Sequence, residues 1–173
     1  PRSTLFPYTT LFRSELLPVM VWIHGGGNTT GMPSEYNPEI FVKTENIIFV
    51  SMSYRLGFFG WLSHPLIREQ SGLNASSNFG LMDQIMAVQW VKKNIQFFGG
   101  NPNNITIFGE SAGGQDVIAL YTSPIAKGLF ERAISQSGGT SVTSIADAEK
   151  INRYDSTLKN NYKYRHLTTE EWI

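Results

Sequence analysis

The most constraining feature of this chain is the passage from Ile105-Thr106-Ile107-Phe108 into Gly109-Glu110-Ser111-Ala112-Gly113. A β-prone run leads directly into a G-x-S-x-G pattern, and a helix-compatible segment follows to about Thr122, before Pro124. At this glycine and serine content the pattern alone arises by chance in roughly one chain in eight, so its context decides. A serine on a strand-to-helix turn is held in strained backbone geometry, with its hydroxyl projecting above the sheet. Glycines two residues before and two after remove Cβ atoms that would clash there, and Gly114 lets the helix approach its neighbours closely. The plain alternative is a serine that only caps a helix.

Other segments extend the same alternation. Val19 to Ile23 is a continuous apolar run behind Pro18, Ile47 to Met52 repeats it, Asn104 to Phe108 gives a third strand, and Ala133-Ile134-Ser135 begin a fourth. Such runs suit strands buried on both faces of a parallel sheet. Between the second and third strands, Leu81, Ile85, Val88, Val91, Ile95 and Phe98 share one helix face. Asn78 is a candidate N-cap, and Gly99-Gly100-Asn101-Pro102 is a stop. The pattern predicts an α/β fold with a mostly parallel sheet and flanking helices. Asp147 to Lys159 reads as a polar helix, and Asn160 to Ile173 has no clear period.

His24-Gly25-Gly26-Gly27 follows the first strand. Acyl transfer builds negative charge on the former carbonyl oxygen, and a glycine run lets the main chain offer N–H donors to it without a side chain in the way. The expected donors are Gly26, Gly27 and Ala112. Alone, the run is equally a flexible turn. It is no dinucleotide fingerprint, because Gly25-Gly26-Gly27-Asn28-Thr29-Thr30 does not give G-x-G-x-x-G. There is also no P-loop lysine and no H-E-x-x-H.

Composition removes other classes. Lys+Arg and Asp+Glu balance at 14 each, so nothing points to nucleic acid. With no cysteine, disulfides, thiolate zinc sites and cysteine nucleophiles are excluded. No stretch reaches the length of an apolar membrane span. Pro1 to Ser14 is no signal peptide, since Arg13 and the threonines interrupt any apolar core. The near-repeat Thr4-Leu5-Phe6 and Thr10-Leu11-Phe12 reads as translated adapter DNA, with a frayed natural N-terminus as the alternative; on the first reading 1–14 is a non-native segment and 15–173 is part of one domain.

Taken together, Trp22-Ile23-His24-Gly25-Gly26-Gly27, Tyr54-Arg55-Leu56-Gly57-Phe58-Phe59-Gly60, Asn78-Phe79-Gly80-Leu81-Met82-Asp83-Gln84, and Phe98-Gly99-Gly100-Asn101-Pro102 through Gly109-Glu110-Ser111-Ala112-Gly113-Gly114 resemble the type-B carboxylesterase/cholinesterase family. The resemblance runs from about Leu16 to Gly139. It implies an α/β-hydrolase fold, here incomplete, and hydrolysis of small-molecule carboxylic esters through an acyl-enzyme on Ser111, with no metal and no organic cofactor. It also implies that the triad acid and histidine lie beyond Ile173, so that the chain is an N-terminal fragment inactive by itself. Members without cysteine look bacterial; a cytoplasmic and an exported location are both open, as is the oligomeric state. Some relatives are non-catalytic adhesion proteins, but these typically lack the nucleophile, which is kept here.

Single residues follow from that frame. Asn28 stands where the family usually has an aromatic residue bordering the acyl pocket, and Glu110 beside the nucleophile either meets substrate or anchors structure. His24 is expected to hold the glycine turn in shape. Asp83 and Arg55 are expected to pin nearby loops, with Asp83 a buried carboxylate. Trp22, Trp61 and Trp90 are expected in the core or a pocket wall, and His64 at the surface. His166 is the only histidine after Ser111, in a polar stretch, and Asp116, Glu131, Asp147, Glu149 and Asp155 follow the serine too soon to match the family's acid.

Overall fold

The computed structural model describes residues 15–65, 78–140 and 142–152. Residues 1–14, His166 and the polar stretch 160–173 lie outside them. The described residues fall into two compact units, one of 15–61 and 79–140, the other of 62–65, 78 and 142–152.

The first unit is built on four strands, β1 (Leu17–Ile23), β2 (Ile48–Ser51), β3 (Gly100–Glu110) and β4 (Arg132–Gln136). All pairings are parallel, in the order β2-β1-β3-β4. The period of two sorts the side chains onto two faces. Val19, Val21 and Ile23 line up with Ile105 and Ile107, and all five are fully buried. They pack on Ile85, Val88 and Val91 of α3 (Phe79–Asn94) and on Val117 and Leu120 of α4 (Ala112–Thr122). Burying each such side chain is worth roughly 1.5–3 kcal/mol, well above an exposed ion pair such as Lys43–Glu39. The opposite face is aromatic. Trp22 and Phe108 sit in register, Phe49 lies 6.0 Å from Phe108 between ring centres, and Tyr36 stacks 4.8 Å from Trp22 and 5.5 Å from Phe49.

Several elements differ from the sequence expectation. β3 begins at Gly100, ahead of Asn104, because Gly100 already pairs with Leu17 and the register shifts before Val19. That irregularity accommodates Pro102, which has no N–H to donate. The helix α3 gives way to a 3-10 turn over Ile95–Phe98, which breaks the 3.6-residue period. Ile95 stays buried while Phe98 is 59% exposed. Trp90 is also more than half exposed, not a core residue. Two short helices, α1 (Glu39–Glu45) and α2 (Gly57–Trp61), carry no legible period. α1 follows Pro38 and ends at left-handed Asn46.

Polar ties fix the loops. Arg55 donates twice through its guanidinium (2.7 Å each) and once through its amide (3.0 Å) to Asp83, joining the loop after β2 to α3. Those bonds hold the Asp83 carboxyl below its usual range, although its side chain keeps 24% exposure and is not fully buried. Glu131 accepts from Lys92 (2.9 Å) and from the Ile105 amide (2.7 Å). Burial pushes the Glu131 carboxyl up, but the Lys92 ammonium and the Ile105 amide outweigh it and hold it below its ordinary value.

In the second unit, α5 (Ile145–Asn152) starts ahead of the expected Asp147. Ser144 explains the start: its hydroxyl accepts from the Asp147 amide at 3.1 Å and donates to the Asp147 carboxylate at 2.6 Å. His64 is 8% exposed and so not a surface residue. No helix among the described residues is long and apolar enough to cross a membrane.

Two outcomes test this packing in the intact protein. A Cβ on Gly113 would press on the carbonyl oxygens of Ile23 and His24, whereas one on Gly139 would meet only Gln115 Nε2 at 3.6 Å. Gly113→Ala should therefore cost about 2–3 kcal/mol or more in urea unfolding, with Gly139→Ala near neutral. The second outcome concerns pH. Because the native Glu131 carboxyl titrates below its ordinary 4.5, its stabilisation is present above that value and is lost as pH falls through the lower native one. Glu131→Gln should be less stable at neutral pH by roughly 1 kcal/mol, and the gap should close in acid. A gap of the same size at both pH values would contradict this.

Candidate active site

β3 ends at Glu110, and α4 begins at Ala112, so Ser111 alone makes the turn. Its backbone sits at φ 55, ψ −120, a region that side-chain-bearing residues rarely occupy. Two bonds secure it: the Ser111 amide donates to Gln136 O at 2.9 Å, and Ser111 O accepts from the Gln115 amide at 3.0 Å. The residue is exposed at the end of the sheet.

The glycines around it are there because backbone meets backbone. A Cβ at Gly109 would stand 2.5 Å from Gly113 O and 2.7 Å from Ile23 O; at Gly114 it would stand 2.6 Å from Gln136 O. The expected steric role of the flanking glycines is what the packing displays.

The His24–Thr30 turn lies against this elbow. A Cβ on Gly25 would be 2.8 Å from Glu110 O and 3.3 Å from Ser111 Cβ. Bond lengths then keep the Gly26 amide within about 7 Å of Ser111 Cβ. Gly26, Gly27 and Asn28 have φ of 98, 64 and 58 in succession. Glycine takes such values freely, and asparagine is among the few other residues that tolerate them. Gly26 O accepts from the amides of Thr29 (3.1 Å) and Thr30 (3.0 Å) and faces both hydroxyls at 3.2 Å. In a trans peptide the N–H points opposite to the C=O, so the Gly27 N–H is turned away from those threonines. Likewise Gly25 O faces His24 Nδ1 at 2.9 Å, which turns the Gly26 N–H away from the imidazole.

Beneath the turn is a polar cluster that the sequence reading did not assemble. His24 is 1% exposed and stacks on Tyr54 with ring centres 4.4 Å apart, in keeping with a shaping role. The Tyr54 hydroxyl donates to His24 O at 2.6 Å, with Asn28 Oδ1 3.3 Å away. Burial, with Asp116 nearby, raises the Tyr54 pKa and keeps it a neutral donor. Asn28 Nδ2 donates to Asp116 Oδ1 at 3.1 Å, and Gln84 Nε2 donates to Asp116 Oδ2 at 2.6 Å. Asp116 is 3% exposed, and burial raises its pKa against the hydrogen bonds from Gln84 and Asn28. The Asn28 side chain is thus engaged with Asp116 and Tyr54. The one sequence sign of the cluster is an acidic residue in a helix that is mostly apolar.

Beside the elbow is an open cavity of about 430 Å³, lined by Trp22, Gly25, Gly26, Glu35, Tyr36, Glu110 and Gln136. That is room for a small organic ligand. Glu110 and Trp22 both stand at it. The arrangement offers an exposed strained serine, a glycine turn packed against it, and a partly aromatic cavity.

Comparison with known proteins agrees with this geometry. The model of the carboxylesterase family matches residues 5–172. Carboxylesterase 1D of Rattus norvegicus is 45% identical over 150 residues, which are 86% of this chain and 26% of the rat protein. Cocaine esterase of Homo sapiens is 48% identical over 70% of this chain and 21% of its own length. The chain therefore spans about a quarter of the length of such curated relatives. A solved thermophilic PNB esterase superposes with a TM-score of 0.80 at 39% identity, over 90% of this chain and 33% of that one. The parallel sheet and its flanking helices are thus those of an α/β-hydrolase, and the chain belongs to the carboxylesterase family.

Proposed function

We propose that the protein carrying this chain is a serine carboxylesterase acting on small-molecule esters, with Ser111 as the nucleophile. The observation that carries this reading is the strained Ser111 turn set against the Gly25–Gly27 backbone. Ser111 Oγ attacks the ester carbonyl while a histidine supplied from outside the described residues takes its proton. The amides of Gly26, Gly27 and Ala112 stabilise the tetrahedral oxyanion. Collapse expels the alcohol, and water then releases the acid from the acyl-enzyme. Glu110 and Trp22 line the cavity that receives the substrate. Asn28 acts on that site from below, through the shape of the turn. A purely binding or adhesive role fits less well, because it gives no reason to hold an exposed serine in this backbone geometry.

The test is enzymatic. The intact protein should hydrolyse p-nitrophenyl acetate or butyrate, and Ser111→Ala should lower turnover by at least about 10⁴-fold. An organophosphate should add to Ser111 and to no other serine, as peptide mapping would detect. Full activity in Ser111→Ala would sink the mechanism.

A further inference from the structure

Asp116 has no part in the chemistry just described, yet it is almost wholly buried on a helix whose neighbouring inward residues, Val117 and Leu120, are apolar. A carboxylate in such a place costs stability unless its bonds repay it, and an apolar residue would commonly serve the fold better. Its two partners point in one functional direction. Gln84 Nε2 anchors Oδ2, and Asn28 Nδ2 takes Oδ1. Asn28 closes the run of three left-handed residues that begins at Gly26. Its backbone oxygen also accepts from the Gly57 amide at 2.7 Å. Glycine has many other conformations open to it, so contacts outside the run must select this one. The helix that carries Asp116 also carries Ala112 as its first residue.

On the reading of Ser111 as nucleophile, we propose that Asp116 is a positioning residue: its hydrogen bond to Asn28 sets the Gly26–Asn28 turn in register with the Ala112 amide, so that one helix fixes both halves of the oxyanion site. The proposal separates fixing the turn from holding the fold, which the apolar face of the same helix performs. It also accounts for asparagine at position 28. That side chain combines tolerance of a left-handed backbone with an amide donor of the right length.

The pair can be tested by exchange in the intact protein. Asn28→Asp places two carboxylates face to face at about 3 Å, a repulsive arrangement. Combining it with Asp116→Asn restores one acceptor facing one donor, and the oxygen of the new amide still accepts from Gln84 Nε2. Asn28→Asp alone should lower kcat roughly 10–100-fold with KM changed less than about threefold, because only the transition state uses the turn. The double variant should recover most of that loss, a coupling that independent sites do not show. Asp116→Asn alone, the milder single change, should fall between. Hydrogen exchange of the 25–30 amides should quicken in Asn28→Asp and return in the double variant. This second readout needs no catalysis. An intact protein with no esterase activity and no organophosphate label would refute the esterase reading, while exchange at 25–30 would still decide the role of Asp116. Unchanged kcat and exchange in Asn28→Asp, or a double variant no better than the worse single one, would overturn the proposal.

Discussion

The first turn of α4 rests against the carbonyl oxygens of Ile23 and His24 more closely than any side chain at Gly113 would permit. The site hangs on this contact. It brings the end of β1, and with it the glycine turn, alongside the end of β3, where Ser111 leaves the sheet. Gly109 and Gly25 continue the same backbone-to-backbone seam on either side. Because its nearest contacts are backbone oxygens, the seam has little freedom to adjust. A rigid junction is what a group of amide donors aimed at one oxygen requires.

The two faces of the sheet divide the work. The aliphatic face of Val19, Val21, Ile23, Ile105 and Ile107 supplies burial and holds α3 and α4 in place. The aromatic face of Trp22, Tyr36, Phe49 and Phe108 forms a second cluster, and Trp22 and Tyr36 extend it into the wall of the cavity. The alternation of the strand therefore decides which residues stabilise and which are available to a ligand. Asp116 sits on the aliphatic side, where its charge is costly, and reaches the turn from below.

Local features were legible and long-range polar pairs were not. Short β-prone runs located the four strands among the described residues, most clearly β1, whose apolar run from Val19 to Ile23 is unbroken. The glycines of the elbow were legible because their requirement is steric and local. The start of β3 was not, because Gly100 to Pro102 looks like a helix stop and is also the irregular first part of the strand. Phe98 misled because the helical period extended one turn past the point where the backbone changes to 3-10 geometry. Trp90, expected in the core or a pocket wall as an aromatic residue, lies off the buried stripe of its helix. Asn28 and Asp116 are 88 positions apart, and no periodicity links them. Only the fold shows that Asn28 turns beneath the glycine loop.

The central claim is that the elbow and the glycine turn form one preorganised oxyanion site. The most direct measurement is a crystal structure of the intact protein with a trifluoromethyl ketone that adds to serine and leaves an anionic oxygen. The account predicts a covalent bond to Ser111 Oγ and that oxygen within about 3 Å of the amide nitrogens of Gly26, Gly27 and Ala112, with the turn unmoved. An adduct whose oxygen points into solvent, or a turn that must rebuild to reach it, would contradict it.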